Sequence, residues 1–208
     1  MSQEKEKVTL KRKLIIFAAM FLIFVALPGM SWYYLRSGLN WHKKANSELG
    51  NYGKIRPAFI IFPDGEKRDQ LKEKVTVIHI FGDNPDISDI NKKILDTGEN
   101  LFNQFGKNYS FALCMVKEGG GTAEFKTYAQ TRPSSDFATW IWTGGLGGWR
   151  TIVENGYESY CLASGAKPVP EYYALTDTSG MIRRFYDAND DHQIGRMVEH
   201  IAMLLPKQ

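Results

Sequence analysis

Residues 75–116 read VTVIHIFGDNPDISDINKKILDTGENLFNQFGKNYSFALCMV, and this stretch decides the fold. Its first seven residues, Val75 to Phe81, are β-branched and apolar on both faces. Such a strand belongs at the centre of a sheet that is covered on both sides. The loop GDNPDIS follows at once, and then Ile87, Ile90, Ile94, Leu95, Leu101, Phe102 and Phe105 recur at helical spacing, with Gly106 as a stop. Ser110 to Val116 reads as the next buried strand. Strand, helix and buried strand in succession are the makings of an α/β domain.

Toward the carboxyl end, EGGGTAEFKTYAQTRP (118–133) reads as a Gly-rich loop followed by a short helix that Pro133 ends. FATWIWT (137–143) reads as another strand and GGLGG (144–148) as a flexible turn. Tyr172 to Thr176, the turn Asp177–Gly180 and Met181 to Tyr186 make a hairpin. His192 to Leu205 is a closing helix with Ile194, Met197, Val198, Ile201 and Leu204 on one side. Toward the amino end, Pro57 to Phe62 reads as a strand that the turn PDGE (63–66) closes. Residues 36–55 carry Gly, Asn and Ser with no period and read as a stalk. The order of elements predicts one α/β, thioredoxin-like domain over residues 56–208, a central mixed sheet flanked by helices.

Ahead of the stalk, Leu14 to Leu27 is LIIFAAMFLIFVAL, without a polar residue, and the apolar character runs on to Leu35. These residues, 14–35, are long enough to cross a hydrocarbon core of about 30 Å. Lys11, Arg12 and Lys13 precede the run, and Trp32, Tyr33 and Tyr34 stand at its far end, where amphipathic rings favour the headgroup layer. The positive-inside rule puts the basic residues 1–13 in the cytoplasm and the domain on the outer, periplasmic face of the inner membrane. A cleaved signal peptide is the rival reading, with Pro28-Gly29 as a break, but no clean A-x-A site follows. A buried core helix would need protein on every side of the run.

The formal net charge of +3 lies wholly in residues 1–13, which hold five basic and two acidic residues. Beyond them 21 basic residues balance 21 acidic ones, so the domain lacks the basic excess of a nucleic-acid reader. Two cysteines are too few for a disulfide framework. Cys114, within FALCMV, reads as a buried thiol, while Cys161, in ESYCLASG, is less constrained and leaves a Cys114–Cys161 bridge open. His79 reads as a buried, hydrogen-bonded histidine, and His42, His192 and His200 as surface residues. Met115 and Cys114 are strand neighbours on opposite faces and cannot share one ion. Asp83, Asp86 and Asp89 read as a solvated helix start rather than a calcium loop. The glycines at 119–121 and 144–148 lack the Gly-Lys-Ser/Thr ending of a phosphate cradle. Phe137, Trp140, Trp142 and Trp149 crowd thirteen residues, mostly as core, with one or two available for a protein or membrane contact.

Taken together, these segments resemble the Sco/SenC family of membrane-anchored, thioredoxin-fold copper chaperones that help assemble the copper site of cytochrome c oxidase. The resemblance spans roughly residues 50–205. In that family the first central strand ends in Phe-x-x-Cys-Pro-x-x-Cys, whose two thiolates bind copper. Here the stretch is Phe81-Gly82-Asp83-Asn84-Pro85-Asp86-Ile87-Ser88, with Pro-Asp-Ile kept and both cysteines absent. Thr122 to Ala129 is similar to a family helix, Trp142-Thr143-Gly144 to its Leu-Thr-Gly, and Tyr173 to Ile182 to its hairpin. The family's third ligand, a histidine about eleven residues before the hairpin glycine, maps onto Val169.

Copper(I) takes soft thiolate, thioether and imidazole donors, which Asn84, Ser88 and Val169 do not supply. Thiol-disulfide chemistry also fails in that loop, because it needs an attacking and a resolving thiol. The resemblance therefore implies a non-enzymatic accessory protein without cofactor or metal, acting on a protein partner in a respiratory oxidase or its assembly machinery. Asn84, Pro85, Asp86 and Ser88 would form its contact surface. The alternatives are a copper-binding or thiol-redox protein with relocated ligands at Cys114, Cys161 and His79, or a structural subunit of another envelope complex.

Overall fold

A computed structural model describes residues 2–55, 60–61, 67–68, 71, 73–81, 92–117, 139–143 and 149–206. Two compact units meet at the Ser47/Glu48 peptide bond. The first is helical throughout: α1 (Ser2–Phe21), a π-helical turn (Leu22–Ala26) and α2 (Leu27–Ser47). The π turn precedes Pro28, which has no N–H and would crowd the carbonyl four residues back in a regular helix. The Leu27 N–H reaches back to the Leu22 carbonyl, the longer i→i−5 bond that shifts the helix register just ahead of the proline. Within this unit Arg12–Ser47, 36 residues, is long and apolar enough to cross a membrane. Its Leu14, Phe17 and Phe24 side chains are exposed, as are Trp32, Tyr33 and Tyr34. Residues 36–47, read from the sequence as a stalk without a period, continue α2 without interruption.

The second unit is a five-stranded mixed sheet with helices on both faces. Its strands are β3 (Val75–Phe81), β4 (Phe111–Lys117), β5 (Thr139–Thr143), β6 (Tyr172–Thr176) and β7 (Ile182–Asp187), in the order β5-β4-β3-β6-β7. β3, β4 and β5 run parallel, while β6 is antiparallel to β3 and β7 to β6. A parallel β-α-β crossover joined to an antiparallel hairpin and closing helix is the thioredoxin-like arrangement that the sequence predicts. A small antiparallel ladder, β1 (Ile60–Ile61) with β2 (Lys67–Arg68), precedes it and agrees with the strand expected over 57–62.

Strand alternation sorts the core into two layers. Val75, Val77 and Phe81 of β3 pack with Leu113 and Met115 of β4, Tyr173 and Leu175 of β6, and Tyr186 of β7. This face is covered by α3 (Lys92–Phe105) through Ile94, Leu95, Leu101 and Phe102, and by the closing helix, numbered α5 here (Asp191–Leu204), through Met197 and Ile201. Ile78, Cys114, Ala174 and Phe185 face the other way. There they meet Ile152, Val153, Tyr157 and Tyr160 of α4 (Trp149–Ser164), a 16-residue helix missing from the sequence reading. A β-bulge in the hairpin pairs Leu175 with Arg184 but Thr176 with Ile182, and so brings Ile182 onto the same face as Phe185.

Residues 48–55, taken as the end of the stalk, belong to this unit. They lie along β7, with backbone N–H groups of Gly50, Tyr52 and Ile55 donating to the carbonyls of Arg183, Ile182 and Gly180 at 2.8, 2.9 and 2.9 Å. The hairpin turn is tied by Asp177, whose Oδ1 accepts from the Ser179 and Met181 N–H groups, and it ends on Gly180 at φ 78°. Asp190 caps α5 by accepting from the His192 and Gln193 N–H groups. The loop 82–91, the stretch 118–138 and the turn 144–148, with the short helix and glycine loops expected there, lie outside the described residues.

Candidate functional site

Parallel packing aims the carboxyl ends of β3, β4 and β5 at one edge of the sheet, where open α/β sheets place ligands. Phe81 is the last described residue before the segment holding Asn84, Pro85, Asp86 and Ser88, and those four lie outside the described residues. The β3–β6 register pairs His79 with Tyr173, so the residues just ahead of Tyr172, including Val169, approach this same edge.

Val169 is held by a residue that sequence reasoning missed. The Tyr157 hydroxyl accepts from the Val169 N–H at 2.7 Å and faces the Val169 carbonyl at 3.4 Å. Tyr157 also stacks on Tyr172, with ring centroids 3.9 Å apart. One α4 side chain thus pins the Val169 backbone, and no sequence spacing links Tyr157 to Val169. Burial raises the hydroxyl pKa values of Tyr157 and Tyr172, the latter to about 12, so both stay protonated donors.

His79 is buried, and its Nδ1–H donates to the Tyr172 carbonyl at 3.0 Å, since a carbonyl can only accept. Its ring lies against Phe81 and Tyr173. Desolvation pushes its pKa down to about 4, against the opposing pull of the Tyr172 carbonyl and Glu171, so the imidazole is neutral at pH 7. This agrees with the structural role expected for it.

Cys114 is fully buried on the α4 side of the sheet, and burial pushes its thiol up to about 12. The thiolate is both nucleophile and metal ligand, so this thiol is chemically quiet. Cys114 and Met115 do face opposite layers. The relocated-ligand alternative fares worse: His79 packs on the α3 side with Phe81 and Tyr173, and Cys114 on the α4 side, so the sheet separates them. Cys161 is half-exposed on α4 beside Tyr157, and both cysteines are free, which closes the bridged alternative. Among the described residues no three His, Cys, Asp or Glu side chains form a metal cluster.

His200 corrects the surface reading. It is wholly buried, its Nδ1 lies 2.7 Å from the Tyr186 hydroxyl, and its Nε2 lies 3.7 Å from Glu48. Glu48 is the centre of an ion network: its carboxylate receives Arg196 Nε and Nη2 at 3.0 and 2.9 Å and Arg184 Nη1 at 2.7 Å. The Arg196 hydrogen bonds hold the Glu48 pKa below its ordinary value, helped by the charges of Arg184 and Arg196. No motif flags this network, because its members are 136 and 148 residues from Glu48.

No protein-family model matches the chain, and no curated protein matches it. Solved structures do. A SCO1/SenC family lipoprotein from Bacillus anthracis str. Ames is similar over 74% of this chain and 95% of its own, at 12% identity and a TM-score of 0.49. BsSco, a member of the Sco family of cytochrome c oxidase assembly proteins, is similar over 73% of this chain and 96% of its own, at 12% identity and 0.47. A thioredoxin family thiol:disulfide interchange protein from Chlorobium tepidum TLS covers 74% and 97%, at 11% identity and 0.45. Function has to be argued from this chain's own residues.

Proposed function

We propose that the chain is a membrane-anchored, non-enzymatic Sco-like accessory protein that supports respiratory oxidase assembly or stability by protein contact rather than by copper transfer. One observation carries this reading: the three positions where the resemblance places soft copper donors hold Asn84, Ser88 and Val169. The placement of the remaining sulfur and imidazole supports it. Cys114 is sealed in the core as a thiol, and His79 is neutral and tied to Tyr172 on the other face of the sheet. Tyr157 holds the Val169 backbone as a fixed wall beside the sheet edge, which suits a contact surface. Asn84, Pro85, Asp86 and Ser88 are the residues proposed to touch the partner.

The helix over 14–35 serves as an uncleaved single-pass anchor in the inner membrane. Lys11, Arg12 and Lys13 lie on the cytoplasmic side, Trp32, Tyr33 and Tyr34 at the far headgroup layer, and the domain in the periplasm.

The test is copper(I) titration of the full chain in detergent micelles, against a competing chelator, beside a variant with Asn84→Cys, Ser88→Cys and Val169→His. The expected result is no uptake by the parent and one copper per chain in the variant. One tightly held copper in the parent would overturn the proposal.

A further inference from the structure

β7 ends the sheet order, and an uncovered edge strand offers its N–H and C=O groups to any other strand. Here residues 48–55 cover part of it. The Ile182 N–H donates to the Gly53 carbonyl at 2.8 Å, complementing the three bonds that Gly50, Tyr52 and Ile55 donate. The segment forms no regular strand: its ladder is a single bridge, Lys54 with Met181. Besides Asn51, whose Oδ1 accepts from Arg183 Nη1 at 2.7 Å on the surface, its hold on the body rests on three side chains. Ile55 is buried, the Tyr52 ring meets Tyr160 edge-on at 5.3 Å and Phe185 at 6.3 Å, and Glu48 sits between Arg184 and Arg196.

Glu48 is the most consequential of the three. Without its carboxylate, Arg184 Nη1 loses its 2.7 Å partner, and Arg184 Nε is already buried without a hydrogen bond among the described residues. Arg196 keeps Glu199 but loses both bonds to Glu48. Breaking such a partly buried pair from one side leaves cationic groups facing each other.

The sequence of β7 also says what an uncovered edge would meet. Two identical edges related by a two-fold axis can pair antiparallel with their faces matched when Phe185 lies opposite Phe185. That register sets Arg183 opposite Asp187 twice, a favourable cross-strand charge pair. We propose that residues 48–55 are a strap latched by Glu48, and that the β7 edge it covers is a pairing surface for β7 of a second copy of this chain.

The test uses the full chain in detergent micelles, with amide hydrogen exchange for the strap and light scattering for mass. In Glu48→Gln, exchange in peptides spanning 48–55 should rise at least tenfold while β3 and β4 stay protected, and dimer should grow with protein concentration. Adding Arg183→Asp should return the monomer while strap exchange stays fast. Should Glu48→Gln fail to fold, Tyr52→Ala removes an anchor without exposing the arginines and should give the same two readings. A strap that opens while the chain stays monomeric overturns the pairing surface. A dimer that persists with Arg183→Asp, or equals that of the parent, does the same. Unchanged strap exchange in both variants overturns the latch.

Discussion

His79 illustrates how a single buried side chain ties stability to pH. Folded, it titrates at about 4, against an ordinary value of 6.5, because burial disfavours the imidazolium. As pH falls, the unfolded chain takes up its proton first. The stability that the neutral imidazole contributes is therefore complete above pH 6.5 and is lost between 6.5 and about 4, on the order of 3 kcal/mol in all. Urea unfolding at pH 7 and pH 5 should show a lower midpoint at pH 5, and His79→Phe should shrink that difference. Equal shrinkage in His42→Phe, at an exposed position, would refute the assignment. The cysteines differ in the same physical way. Folded chain should react quickly with a thiol reagent at Cys161 only, and Cys114 should react after unfolding. Two fast thiols in the folded state would contradict the burial of Cys114. Near-continuous apolar runs made the burial of His79 and Cys114 legible in VTVIHIF and FALCMV. The burial of His200 was not, because its cover comes from Tyr186 on β7 and from Glu48, which is 152 residues earlier in the chain by the numbering.

Element by element, α4 joins the sheet to the strap. Its Gly156 lies so close to the strap that a Cβ there would come within 2.4 Å of the Tyr52 carbonyl oxygen. Gly156→Ala should destabilise the domain by roughly 1–3 kcal/mol and speed exchange at the Tyr52 amide; an unchanged unfolding midpoint would count against that contact. Tyr157→Phe keeps the stack on Tyr172 but removes the hydroxyl from Val169, at a cost of about 1 kcal/mol, and should expose the Val169 amide to exchange. The helix itself was hidden in the sequence. Its apolar residues Ile152, Val153, Gly156, Tyr157 and Tyr160 do follow helical spacing, but tyrosines and a glycine make a weak stripe. The strap was hidden for another reason. Residues 48–55 have no period of their own, and their bonding partners lie more than 120 residues ahead.

At the scale of the whole molecule, the two units differ in what they expose. The helix exposes Leu, Ile and Phe over a span fit for hydrocarbon, while the domain buries its apolar residues in two layers about a sheet. Full chain should stay with membranes through alkaline carbonate extraction, and a chain starting at Glu48 should not; release of both would refute the anchor. By itself the sequence determined the apolar helix, the central strand β3, the hairpin and the closing helix. Each of these rests on apolar runs, turn residues or a helical period, which local chain geometry imposes, whereas the choice of Asn84, Ser88 and Val169 as positions to weigh rests on the family resemblance. Only the tertiary structure decided that His79 and Cys114 are walled apart, that Tyr157 holds Val169, and that Glu48 latches the start of the domain. Each of these depends on how whole elements pack against one another, and a packed core, not a local repeat, sets it.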